Sequence, residues 1–288
     1  MIVISVVNNK GGVGKSTVAC SLAQALALMD QNVLCVDLDN QRNLTTMLGI
    51  RTAPENTVRD LLNLSDFSNK EALNTTIADC VLQSSIENLN CISATDTLCD
   101  DDVGEEKVLA TAFRKSFVAE HYDFVVIDNH PGISKLQRVS LHAADFVLVP
   151  TELQQLAVNG LSVMMRYLTK VFKFPEDHVR IVFNKYRGTI PQEAHFQTVH
   201  NLFPKSATKH AIPMDSTFDE IITENKILFL DRLLSSKAVP YIVGLMTELF
   251  PMKQRAIDAN IRELRDRHLA DNARIRAMKT TKKDANTH

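Results

Sequence analysis

The sequence predicts an α/β fold, a mainly parallel β-sheet with helices on both faces. Three observations predict it. Short, near-continuous Val/Ile runs recur along the chain, as in strands covered on both sides. Between them lie stretches whose apolar residues repeat at three- and four-residue spacing, the period of a helix. A glycine-rich segment stands where the first apolar run gives way to the first helical stretch.

Taken in order, the predicted strands are Ile2 to Val7, Val33 to Val36, Phe124 to Ile127, Phe146 to Val149 and Val179 to Phe183. Less apolar runs at Leu89 to Ile92 and Ala207 to Ile212 are added to them. Ser16 to Met29 is helical, as is Leu153 to Phe172, where Leu161, Met164, Leu168 and Val171 share a face. The acidic run Asp96 to Lys107 holds six carboxylates and reads as a solvated loop feeding a helix. Asp100 to Asp102 are then expected at that helix's positive end.

No repeat or Pro/Gly/Ser-rich linker interrupts the chain before residue 250. One domain over 1–250 is expected, followed by a basic helix and polar tail over 251–288. The 288 residues are 45% hydrophobic, too apolar for a disordered polyelectrolyte. A net charge of −2 excludes binding to nucleic acid by bulk charge alone, yet the sum hides an asymmetry. From Pro251 onward stand ten Lys/Arg against five Asp/Glu, a net of +5, which leaves −7 for residues 1–250. The apolar run at the N-terminus is too short for a secretion signal, and no run is long enough for a membrane span. Five cysteines without a CxxC pair fit a reduced, cytoplasmic setting.

The strongest chemical signal is Asn9-Lys10-Gly11-Gly12-Val13-Gly14-Lys15-Ser16-Thr17, between a strand and a helix. Glycines let backbone N–H groups turn onto a phosphate chain, and a helix N-terminus adds partial positive charge. Lys15 would reach the β- and γ-phosphates, Ser16 would ligate Mg²⁺, and Thr17 would bond a further phosphate oxygen. Downstream, Val33 to Val36 runs into Asp37-Leu38-Asp39-Asn40-Gln41, and Phe124 to Ile127 into Asp128-Asn129-His130-Pro131. Carboxylates at the carboxyl ends of parallel strands face a crevice, and one such acid holds Mg²⁺ in many phosphate-binding folds.

With Lys10 ahead of Gly-Gly-x-Gly-Lys-Ser, the segment resembles the deviant Walker A motif of ParA/MinD-type P-loop ATPases. The resemblance spans roughly residues 1–250 and implies a nucleotide-sandwich homodimer formed on ATP binding. In it Lys10 crosses to the partner's nucleotide; a Lys10 that serves only its own phosphates is the alternative. The family's DxDPQ segment matches at Asp37 and Asp39, with Asn40 in place of proline. By that match Asp39 orients the attacking water and Asp37 supports the magnesium shell. Asp128 is the Walker B acid, with His130 where the family has proline. Asn184 resembles the family's adenine-contacting residue, and Pro213 and Asp215 the segment packed over the base.

The resemblance is closest to partition ATPases, and implies non-specific DNA binding, a ParB-like centromere adaptor and a nucleoid-associated protein. Since the first strand begins at Ile2, no N-terminal helix-turn-helix is expected. The DNA surface is expected on the C-terminal segment, at Arg255, Arg262, Arg265, Arg274, Arg276 and Lys279. Lys282, Lys283, Lys205 and Lys209 are further candidates; a solvated helix facing water is the other reading. A membrane-cycling, MinD-like positioner is a rival, although no bulky apolar residue follows Met278 and no membrane partner is expected. A nucleotide-gated scaffold with negligible hydrolysis is a second, kept open by Asn40 and His130. No cysteine pair suits an iron–sulfur reductase, and no terminal tyrosine cluster a tyrosine kinase.

Overall fold

The computed structural model describes residues 1–51, 54–224, 228–232, 234–251, 258–263, 265–267 and 269–270. Among them, eight strands form one sheet: β1 (Ile2–Val6), β2 (Val33–Leu38), β3 (Val81–Gln83), β4 (Leu89–Ile92), β5 (Phe124–Asn129), β6 (Phe146–Glu152), β7 (Val179–Tyr186) and β8 (Ala207–Pro213). Their order is β3-β4-β2-β5-β1-β6-β7-β8. Every pairing is parallel except β3 with β4. The Val/Ile runs are buried along their length, as two-sided cover requires.

The helices are α1 (Lys15–Ala27), α2 (Asn43–Met47), α3 (Val58–Leu62), α4 (Lys70–Cys80), α5 (Val108–Lys115), α6 (Val118–His121), α7 (Lys135–Ala143), α8 (Gln155–Arg166), α9 (Ile190–Leu202), α10 (Thr217–Glu224), α11 (Leu228–Asp231) and α12 (Val239–Leu249). On one face α1, α11 and α12 bury Leu22, Leu26, Phe229 and Ile242 against Ile4, Val33, Phe124 and Leu148. The opposite face carries two clusters. One joins α3, α4, α5 and α7 to β2 and β5, the other α8 and α9 to β6 and β7. From β1 the chain runs to β2 on one side, and from its neighbour β6 to β7 on the other, so the two connections diverge and open a crevice at the strands' carboxyl ends.

Several expectations shift in detail. β2, β5, β6 and β7 run two or three residues beyond the apolar runs, since polar strand ends keep their ladder partners. β3 has only three residues and joins the edge by antiparallel pairing, too little periodicity to read. Tyr167–Val171 winds as a π-helical turn at the end of α8. Asp100 to Asp102 form a 3₁₀ turn, with Lys107 the residue preceding α5. The positive helix end they serve is that of α7: Asp100 Oδ1 accepts the Leu136 N–H at 3.1 Å. Asp102 instead pairs with Arg59 at 3.0 Å.

Residues 258–263, 265–267 and 269–270 are helical. Ile261 packs on the core and Asn260 donates to the Leu28 carbonyl at the far end of α1, so the segment is partly docked. Arg262 and Arg265 are exposed, as are Lys205 and Lys209. Arg267 pairs with Glu263. Arg255, Arg274, Arg276, Lys279, Lys282 and Lys283 lie outside the described residues.

Candidate active site

Strand register gathers the chemistry. Val6, Asp128 and Asp37 stand side by side across β1, β5 and β2, so both carboxylates end level with the glycine-rich loop. On the other flank Glu152 at the end of β6 pairs with Asn184 of β7.

The loop turns into α1 at Gly14, whose φ of +90° is a left-handed conformation that only glycine adopts at little cost. A Cβ there would also stand 2.0 Å from Asn184 Nδ2. Asn184 donates to the Val13 carbonyl at 3.0 Å, and Lys185 donates to the Gly12 carbonyl at 2.6 Å. The N-terminus of α1 then opens into a cleft of about 510 Å³, a volume ordinary for a small-molecule site.

Gly12, Gly14, Lys15, Ser16, Thr17 and Asp39 line this cleft. Asn184, Pro213 and Asp215 line it as well, so most of the residues expected from sequence meet in one place. Val13 is buried beneath the loop, and Lys10 and Gly11 sit exposed at its outer turn. The Lys10 ammonium donates to Gln154 Oε1 at 2.9 Å rather than entering its own cleft. Gln41, Asn43, Met47, Lys185, Phe218 and Asp219 also line the cleft without having been anticipated. Met47 and Phe218 have the spacing of core residues on amphipathic helices, and nothing local marks them otherwise. With Pro213 and Met214 they supply the apolar surface a purine ring needs.

The electrostatics favour an anion held with a divalent cation. Burial pulls the Lys15 ammonium below its usual pKa, with Asp128 and Asp39 nearby pulling the other way. Phosphate oxygens would stabilise its charged form. Burial pushes Asp128 well above the carboxylate range, and the charge of Asp37 adds to the effect, while the Ser16 hydroxyl and Lys15 oppose it. Both Asp128 oxygens are buried without a well-formed hydrogen bond. An orphaned carboxylate beside a serine hydroxyl fits Mg²⁺, which takes its remaining ligands from phosphates and water.

Asp37 differs. Burial raises it to about 6, against the Thr45 donors and the Asp39 N–H, while the Asp39 charge adds to the rise. Its Oδ1 accepts the Asp39 N–H at 3.1 Å; its Oδ2 accepts the Thr45 N–H at 3.0 Å and the Thr45 hydroxyl at 2.7 Å. It therefore ties down the segment that presents Asp39. Asp215 is likewise committed to the chain. Its oxygens accept the Thr217 N–H and hydroxyl, the Ser236 hydroxyl and the Ala238 N–H. Burial alone would raise its pKa, but these donors outweigh it and hold the carboxyl at about 2. His130 sits exposed on the cleft wall, its Nδ1 2.6 Å from the Pro131 carbonyl.

Known proteins resemble this chain in sequence and in fold. The family described as AAA domain matches residues 1–181, well over half of the chain and all the strands that carry the phosphate loop and carboxylates. An uncharacterized protein of Methanocaldococcus jannaschii is 28% identical over 241 residues, 80% of this chain and 91% of its own length. The chromosome-partitioning ATPase Soj of Thermus thermophilus is 34% identical over 171 residues. That match covers 58% of this chain and 61% of Soj, so the chain spans less than two thirds of that relative. In fold it is similar to the septum site-determining protein MinD of Pyrococcus horikoshii, solved with Mg-ADP. The TM-score is 0.68 at 21% identity, covering 88% of this chain and 98% of that one. With the family match lying on the segment that builds the cleft, the chain belongs to the AAA domain family and is a ParA-type P-loop ATPase.

Proposed function

We propose that this ATPase partitions DNA, binding ATP and Mg²⁺ in the cleft and closing face to face with a second copy. Ser16 and Asp128 would hold the magnesium, which supplies charge neutralisation at the phosphates. Lys15 neutralises the transferring phosphoryl group, and Asp39 orients the attacking water while Asp37 fixes the segment that carries it. Lys10 acts in trans. The observation that carries the reading is the position of Lys10, exposed at the rim and engaged with Gln154 outside its own cleft. A cation placed there is free to reach a partner's phosphates and couples nucleotide binding to dimerisation. Light scattering tests it: ATP should dimerise the wild type and leave Lys10→Ala monomeric. ATP-driven dimers of that variant would refute the trans role.

Non-specific DNA is the proposed track and a ParB-like adaptor the proposed partner. Residues 1–250 form the proposed ATPase domain and 251–288 the DNA-binding appendage. Exposed Arg262 and Arg265 support this, on a helix docked at the end of α1 remote from the phosphates. The 13 residues of α1 span ~20 Å, so DNA and nucleotide would communicate through the dimer rather than by contact. Truncation at Pro251 should flatten the salt dependence of DNA retention, by about 0.9 in log–log slope for each phosphate that the tail neutralises. An unchanged slope places the DNA site elsewhere.

The likeness to MinD favours a second reading, a surface-positioning ATPase. Among the described residues no helix is long and apolar enough to cross a membrane. ATP-dependent flotation with anionic liposomes would favour that reading over partition.

A further inference from the structure

We infer that Lys185, held by Glu152, is a positioning residue that aims the phosphate loop's amides at the nucleotide. The inference rests on the ATP reading of the cleft.

Four observations carry it. Lys185 and Asn184 donate to two successive loop carbonyls, those of Gly12 and Val13. In a planar trans peptide the C=O and the next N–H point in opposite directions. Drawing these carbonyls toward β7 therefore turns the Val13 and Gly14 N–H groups to the loop's concave side, where a phosphate chain is cradled. Second, Lys185 has φ +55°, a left-handed conformation rare outside glycine, asparagine and aspartate. Such strain persists only where surrounding contacts over-determine it. Third, the ammonium is held from the other side by Glu152 Oε1 at 2.9 Å, in an ion pair whose acid is largely buried. β6 and β7 set that meeting, since Glu152 is the register partner of Asn184. Fourth, Glu152 Oε2 accepts Gln154 Nε2 at 2.6 Å, and Gln154 in turn receives Lys10. One polar circuit thus links the loop's outer turn, the ends of β6 and β7, and the carbonyl of Gly12.

Because the brace acts on the amides, its loss should weaken phosphate binding and spare the base and ribose. The test is displacement of a fluorescent ATP analogue from the full chain by ATP, ADP and adenosine, with Mg²⁺ present. Lys185→Met should raise the Kd for ATP and ADP about tenfold, the equivalent of ~1.4 kcal/mol, and leave that for adenosine unchanged. Lys185→Arg, which keeps a donor cation, should restore most of the affinity. Glu152→Gln leaves Lys185 in place but unheld, and should show a smaller loss with the same phosphate selectivity. Equal weakening for adenosine would mean that Lys185 merely supports the pocket wall and would overturn the proposal. Unchanged ATP affinity in Lys185→Met would overturn it as well. Failure of the wild type to bind ATP would instead sink the ATP reading, and the brace with it.

Discussion

Thr45→Val isolates one buried interaction beneath the site. Threonine and valine have nearly the same shape, so the change exchanges a hydroxyl for a methyl and leaves the buried carboxylate short of one donor. The hydroxyl lies 2.7 Å from Asp37 Oδ2 and 3.2 Å from the Ser93 hydroxyl, and Thr45, Asp37 and Ser93 are all buried. A hydrogen bond to a buried charge is worth about 2 kcal/mol. The backbone donors to Asp37, from Thr45 and Asp39, remain.

The magnitude depends on pH, because burial raises the Asp37 pKa to about 6 in the folded chain. A folded pKa above the unfolded one means that the native state binds the extra proton. Stability from this group is therefore full below about pH 4 and falls as pH rises through 6. The Thr45 hydroxyl offsets that loss only when the carboxylate is charged. Urea denaturation of the nucleotide-free protein should show Thr45→Val about 2 kcal/mol less stable at pH 8. At pH 5 the difference should shrink to under about 1 kcal/mol, the scale of a neutral hydrogen bond. Equal destabilisation at both pH values would refute the assignment of the hydroxyl to the charged form of Asp37.

Asp39→Ala should retain ATP and stall turnover, seen as a persistent ATP-bound species after gel filtration; rapid phosphate release would remove Asp39 from the water-orienting role. Gly244→Ala would set a Cβ 2.4 Å from the His210 ring, which is also 3.2 Å from Glu248. Repacking there should cost about 1–3 kcal/mol in urea, and an unchanged midpoint would show that the ring moves freely. Asp215→Ala should lose about 1 kcal/mol at pH 7, the pKa shift being discounted for partial exposure. This carboxyl is depressed on folding, so its contribution exists above about pH 4 and vanishes as pH falls through about 2. A loss of stability that persists undiminished at pH 2 would contradict the hydrogen-bond account.

What could be read in the chain was local. Val/Ile runs reveal parallel strands because two-sided burial leaves no room for polar alternation. The phosphate loop is legible because Gly14 must be glycine for its own backbone and for the approach of Asn184. Asp37 and Asp128 could be found as the acids that close apolar runs, but their roles could not. Spacing does not show that Asp37 spends its oxygens on Thr45 and Asp39 while Asp128 keeps both unpaired. Asp100 illustrates the same limit: its chain neighbours suggest α5, and its hydrogen bond goes to α7.

By itself, then, the sequence determined the strands other than β3, the longer helices beside them, the loop that receives phosphate and the acids at the strand ends, all set by short-range backbone and burial preferences. Only the tertiary structure decided which donors hold that loop. Lys185 reaches Gly12 across 173 positions and Asn184 reaches Val13 across 171. Hydrogen bonds are directional over about 3 Å, and such distances exist only once β1, β6 and β7 have paired in register and brought the partners together.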